Sequence, residues 1–461
     1  MKRLLTLFFA LLASLILIMS ITSCGEEDTK TVTIKVYNWG EYISDGSLDE
    51  EGNPGYDTNA EFVKYFNENL SEKYADIYGG NVKIKISYST YPTNEDMYTK
   101  IASGAGSYDI IIPSDYMIKR LADEGLLYEF GAENIENFQY IDEAFKSSSY
   151  DPENKYSVPY TYGMVGVIYN YTLLDKADLD ENGDIIKKSW DLLWNDGYNG
   201  DYTGKILQFN NPRDAFATAM YRESININSD NIEDWHRALE LLIEQKPLVQ
   251  AYVSDEIFNK MTSASAAIST YYAGDYIIMY EDNPYLKFYY PEEGTNYFVD
   301  AMCIPQSSEH KEIAMEYINF MLSREAAIAN ALTIGYASPN TLVRNDEEYI
   351  AAMTDIHPDA MDILYGLSPA DANKNYDYAP DYSSFTDTSV FKNVTQDAVN
   401  ELWEQLKTES AVEPWIHIVS AAIVLTVVSV ALYSVISRRI RSRDYRKRDK
   451  LARKAKALAK K

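Results

Sequence analysis

Hydrophobic and polar positions alternate strictly where the polar stretch Gly25–Lys30 ends. Val32, Ile34 and Val36 are separated by Thr33 and Lys35, the pattern of a half-buried strand. The alternation stops at Tyr37-Asn38-Trp39-Gly40-Glu41-Tyr42, which places two kinds of large aromatic ring and a carboxylate on a glycine-containing loop at a strand end. Phe62, Tyr65, Phe66, Leu70 and Tyr74 fall on one face of a helix, and Val82, Ile84, Ile86 and Tyr88 alternate as a second strand. Tyr108-Asp109-Ile110-Ile111-Ile112 reads as a short buried parallel strand, ending at Pro113-Ser114-Asp115-Tyr116, where Ser114 or Asp115 caps a following helix. From Tyr156 to Asn170 an apolar strand is interrupted by Pro159, Gly163 and Gly166, a place for the chain to cross between lobes.

Helical spacing returns over Asp214–Arg222 and Ile232–Glu244, where Trp235, Leu239, Leu242 and Ile243 share a face. Alternating or apolar segments follow at Ala266–Tyr272, Phe288–Tyr290 and Tyr297–Ile304, the last offering a second crossing. Lys311–Leu322, Arg324–Leu332 and Val399–Lys407 carry helical spacing, and the Tyr- and Asp-rich stretch Pro369–Thr388 reads as loop. Strands alternating with helices predict an α/β fold with parallel pairing.

The two ends are of different material. Residues 1–23 combine Lys2-Arg3, an apolar run and Ile21-Thr22-Ser23 before Cys24, a secretory signal. Trp415 to Ile436 contains no Asp, Glu, Lys or Arg and is long enough to cross a bilayer; beyond it, residues 438–461 hold thirteen basic and two acidic residues. The basic tail predicts a cytoplasmic C-terminus and an extracytoplasmic body. Net charge is −28, so with +11 in the tail the remainder carries −39, which disfavours nucleic acid and favours small cations. With 4 histidines and 2 cysteines, neither a His-based metal site nor a disulfide framework is expected, and Cys303 reads as a small buried hydrophobe.

No nucleophile–base pair and no phosphate-cradling glycine loop is present, so the sequence predicts no enzyme and no cofactor. Asp178, Asp180, Asn182 and Asp184 match the first half of a calcium loop with Gly183 at its turn, but Ser189 stands where the closing acid belongs.

Five motifs occur in order: YNWGEY, YSTY through IIIPSDY, PYTYG, YPEEGTNYFVD and IGYASPN. Together they resemble the spermidine/putrescine-binding receptors of ABC importers, from about Lys30 to Thr408. Ile-Thr-Ser-Cys likewise resembles a bacterial lipobox, which implies lipid on Cys24. The family resemblance implies a two-lobed periplasmic-binding-protein fold of type II, here with an added C-terminal transmembrane helix, closing over a ligand in the interlobe cleft. It implies this organisation: signal 1–23, first lobe 24–160, second lobe 161–299, return to the first lobe 300–410, membrane helix 411–437 and cytoplasmic tail 438–461. Carried over residue by residue, it implies a ligand site of Trp39, Glu41, Tyr42, Ser114, Tyr116, Asp214, Ser254, Tyr272, Phe298, Asp300 and Tyr336.

That set suits a polyamine, whose methylenes need aromatic walls and whose ammonium groups need spaced carboxylates. Asn211 stands where these receptors often have an acid, which shifts the expectation toward a diamine. Tyr272 and Phe298 stand where the family usually has Trp. The expected partners are the polyamine, a permease and ATPase, and the membrane, reached through lipid and the C-terminal helix; the expected location is the outer face of the cell membrane. Two alternatives remain: a receptor for ferric iron, through Tyr271-Tyr272 or Tyr289-Tyr290, or for sugar; and a sensor signalling through its membrane helix.

Overall fold

The computed structural model describes residues 29–47, 52–367 apart from 228 and 230, and 396–408. The expected signal, Cys24, the loop 369–388, the membrane helix and the basic tail lie outside the described residues. Among those described, no helix is long and apolar enough to cross a membrane. The described residues up to Leu406 form one compact unit, and the described Lys407 and Thr408 fall in a second.

Alternation dictates the first two strands. In β1 (Lys30–Trp39), Val32, Ile34 and Val36 are buried while Thr31, Thr33 and Lys35 face out. The strand runs three residues past Val36, where alternation ends, with Tyr37 and Asn38 buried and Trp39 half-buried. It pairs in parallel with β2 (Val82–Tyr91) along its whole length, and with the two-residue β3 (Ile110–Ile111) on its other side. Helix α1 (Thr58–Asn69) buries Phe62 and Phe66, but it ends before Tyr74 and leaves Tyr65 exposed, so the face read from the sequence is shorter than expected. Helices α2 (Asn94–Ser103) and α3 (Asp115–Asp123) follow.

β4 (Ser157–Asn170) is buried at every position. Its first half pairs with β9 (Tyr297–Cys303), and its second half with β7 (Ile268–Tyr272) and β8 (Leu286–Tyr289), all antiparallel. Parallel pairing resumes beyond it, where β5 (Ile206–Phe209) lies between β6 (Val249–Val253) and β7. The order is β2-β1-β3-β9-β4-β7-β5-β6, with β8 on β4. The sheet is therefore mixed rather than purely parallel: β4 and β9 are the two central strands that join its halves, and both run against their neighbours.

The helices that position side chains are α4 (Pro212–Arg222), α5 (Ile232–Gln245), α6 (Glu256–Thr262), α7 (Ala273–Asp282), α8 (Lys311–Met321) and α9 (Arg324–Ile334). α4 opens with Asn211, whose side-chain oxygen accepts the Asp214 N–H, followed by Pro212 in the first turn, the arrangement that starts a helix best. α7 follows β7 with no intervening loop. Its first turn places Asp275 beside the C-terminal end of that strand.

Candidate functional site

Four rings from four segments pack edge to face around one point. Tyr42 comes from the loop after β1, Tyr272 from the end of β7, Phe298 from β9, and Tyr336 from the turn after α9. Ring centres are 5.7 Å apart for Tyr42 and Tyr336, 6.2 Å for Tyr272 and Tyr336, 5.1 Å for Tyr272 and Phe298, and 5.6 Å for Phe298 and Tyr336. Glycines make room for two of them. A Cβ on Gly274 would stand 1.9 Å from Cδ1 of Tyr336, and one on Gly163 2.6 Å from Cζ of Phe298.

Each tyrosine hydroxyl of this box donates to a different carboxylate at 2.6 Å: Tyr42 to Asp300 Oδ2, Tyr272 to Asp214 Oδ2, and Tyr336 to Asp275 Oδ2. Burial is the first cause, and the neighbouring carboxylates a further one, that keeps all three phenols protonated far above the usual range. They are therefore donors.

Asp300 lies on β9 and is 4 % exposed. Loss of hydration pushes its carboxyl up to about 7, partly offset by hydrogen bonds from Ser114 Oγ at 2.6 Å and from Tyr42. Ser114 is the residue before α3, so Asp300 also sits beside a helix start. Asp275 is half-buried and is likewise pushed up to about 7, first by desolvation, then by the charges of Asp255 and Glu41, against the Tyr336 hydrogen bond. Asp214 is buried and accepts also from Asn211 Nδ2 at 3.0 Å and Asn296 Nδ2 at 2.6 Å.

The other predicted residues divide. Trp39 is half-buried, donates its indole N–H to the Ile112 carbonyl at 3.0 Å, and stacks obliquely on Tyr91 at 4.7 Å. Buried Asn38 fastens the loop after it by donating to the Tyr42 carbonyl at 3.1 Å. Glu41 is exposed, in a left-handed conformation at φ +52°, with its charge felt at Asp275. Tyr116 is linked to Ser114 through Asn94, which donates to the Tyr116 hydroxyl at 3.1 Å and accepts the Ser114 N–H at 3.2 Å. Ser254 is exposed just before α6, its N–H donating to Glu256, and the structure does not bring it into the aromatic box.

Arg213 joins the two sides of the site. From α4 it reaches Asp115 on α3 at 3.4 Å, and its guanidinium stands 5.1 Å from the Tyr116 ring centre.

The acids of the calcium-like run do not converge. Asp178 turns inward and accepts from the Asn199 and Gly200 N–H groups and the Tyr202 hydroxyl; Asp180 accepts the Asn182 and Asp184 N–H groups; Asp184 pairs with Lys287 at 2.6 Å. Among the described residues no cluster of three or more His, Cys, Asp or Glu could hold a metal ion. Two tyrosines considered for iron spend their hydroxyls on separate carbonyls, Tyr289 on Ser189 and Tyr290 on Ile363. A surface hollow of about 460 Å³ lined by Tyr56, Glu61, Tyr65 and Phe320 contains none of the predicted site residues.

Sequence reasoning missed two members, Asp275 and Asn296. The helical spacing of Tyr276, Ile277, Met279 and Tyr280 was the available signal for α7, hidden by its direct continuation from β7.

Residues 62–355 match the family model described as bacterial extracellular solute-binding protein. The spermidine/putrescine-binding periplasmic protein of Salmonella typhimurium is 27 % identical over 72 % of this chain and 85 % of its own. The putrescine-binding periplasmic protein PotF of Escherichia coli is 24 % identical over 69 % of this chain and 80 % of its own. Among solved structures, the spermidine/putrescine ABC transporter substrate-binding protein PotD of Streptococcus pneumoniae aligns with TM-score 0.55 and 27 % identity, covering 81 % of this chain and 98 % of that one. The mixed sheet and these neighbours identify a two-lobed α/β periplasmic-binding-protein fold.

Proposed function

The chain belongs to the bacterial extracellular solute-binding proteins, and from that premise we propose that it captures a polyamine, putrescine or spermidine, in the interlobe cleft for delivery to an ABC permease and its ATPase. Its role is binding rather than catalysis. The observation that carries the reading is the set of three tyrosine–carboxylate pairs around one aromatic box, Tyr42–Asp300, Tyr272–Asp214 and Tyr336–Asp275, closed by Phe298. Aromatic faces suit an aliphatic chain between charges, and each ring–cation contact contributes about 0.5–2 kcal/mol. The carboxylates suit the ammonium groups, which can supplant the phenolic donors that the acids hold without ligand. Asp275, which accepts from the Tyr336 hydroxyl, adds an acid to the box where Asn211 lacks one.

Trp39, Glu41, Ser114 and Tyr116 belong to this reading as the surrounding wall; Ser254 has the weakest claim. A ferric-iron receptor is disfavoured by the scattered tyrosine hydroxyls. We further read residues 1–23 as a signal, Cys24 as lipidated, and residues 411–437 as a membrane anchor with a cytoplasmic tail. The uncharged apolar run and the basic residues behind it support the anchor.

A thermal-shift panel on the full-length chain in detergent tests the function. Putrescine or spermidine at a hundred times the dissociation constant should add about 2.7 kcal/mol of stability, while maltose and ferric iron add none. A shift with sugar or iron and none with any amine overturns it.

A further inference from the structure

The residue before β9 carries an acceptor that no group among the described residues satisfies. Asn296 is 3 % exposed, its Nδ2 donates to Asp214 Oδ1 at 2.6 Å, and its side-chain carbonyl oxygen is buried without a hydrogen-bond partner. Buried amide oxygens are nearly always paired, so an orphan inside a polar site calls for an explanation. The orientation follows from the neighbour: Asp214 also accepts from Tyr272 and Asn211, so the amide turns its N–H toward it.

The backbone is fixed as well. The Asn296 carbonyl accepts the Val165 N–H at 3.0 Å, and the Thr295 hydroxyl donates to the Val165 carbonyl, clamping the segment to β4 from both sides. Side chains two apart along a strand share a face, so Asn296 lies on the same side as Phe298 and Asp300. Asp214 Oδ2 is already held by Tyr272 and Asn211. Asp214 and Asn296 thus leave one carboxylate and one unpaired amide oxygen side by side.

We propose that Asn296 is a specificity-determining residue that accepts the second N–H of a primary ammonium seated on Asp214, so that this end of the cleft distinguishes primary amines from N-alkylated ones. A protonated primary amine has three N–H groups to share between the two residues; a tertiary ammonium has one, which Asp214 takes. The inference rests on the polyamine reading above and refines which amine termini that site admits.

Calorimetric titration of the full-length chain with putrescine and with its tetramethylated analogue, dimethylated at each nitrogen, tests it. Asn296→Ala should weaken putrescine by about tenfold or more and the analogue by less than about threefold. Asn296→Leu, which keeps the volume and lacks both polar atoms, should give the same contrast and serves where the alanine variant fails to fold. Equal losses for both ligands, or no loss for either, overturn the inference while leaving the polyamine reading intact. Failure of the unaltered protein to bind either ligand overturns both.

Discussion

Two carboxyl groups at the site, Asp275 and Asp300, are held up to about 7 by lost hydration, against an ordinary value of 3.8. A folded-state value above the unfolded one means that the folded chain binds the extra proton, so the stabilisation is complete below about 4 and is lost as pH rises through about 7. Acids with lowered values act in the opposite sense and lose their contribution as pH falls below the ordinary carboxyl range; in Asp178, lost hydration raises the value but donors from Asn199, Tyr202 and Gly200 outweigh it. The ligand-free protein should therefore be more heat-stable near pH 5 than near pH 8. Saturating putrescine should flatten that decline, because an ammonium favours the ionised acids, and affinity should rise from pH 6 to pH 8. Melting curves with and without ligand across this range check both. A ligand-free melting temperature that climbs steadily from pH 5 to pH 8 would contradict the assignment of these acids.

Elements whose pattern is local were legible without the structure. Val32, Ile34 and Val36 specify β1 because one face is buried and the other wet, and the largely apolar, non-alternating run 157–170 specifies a strand buried on both faces. Asp300 and Tyr42 could be nominated because their motifs resemble those of a known family. Asp275 escaped because α7 begins within a turn of Tyr272, so strand and helix signals overlap across Ala273 and Gly274. Asn296 escaped for another reason: its bond to Asp214 spans 82 residues and leaves its own oxygen unpaired, which no local pattern encodes. The C-terminal apolar segment belongs at this scale too. If residues 411–437 form a membrane helix, the full-length chain should remain in the pellet after alkaline carbonate extraction, even with Cys24 replaced by Ala. A chain truncated after Thr408 with the same replacement should be released, and release of the longer chain would remove the anchor.

At the scale of the whole molecule, β4 and β9 are the pieces that make a site out of two half-sheets. Asp300 and Phe298 ride on β9 itself, Thr161 of β4 lies 2.8 Å from the Tyr42 hydroxyl, and Arg213 ties the start of α4 to buried Asp115 at the start of α3. A ligand held between Asp214 on α4 and Asp300 on β9 would bridge residues carried by both half-sheets. The most direct measurement is a calorimetric titration near pH 8 of the unaltered full-length chain and of Asp300→Asn, with putrescine and spermidine. Saturable one-to-one binding of at least one amine, weakened by about 2–5 kcal/mol in the variant because the ammonium loses its buried partner, is the result expected. Absence of amine binding by the unaltered chain, or equal affinity in the variant, would contradict the account.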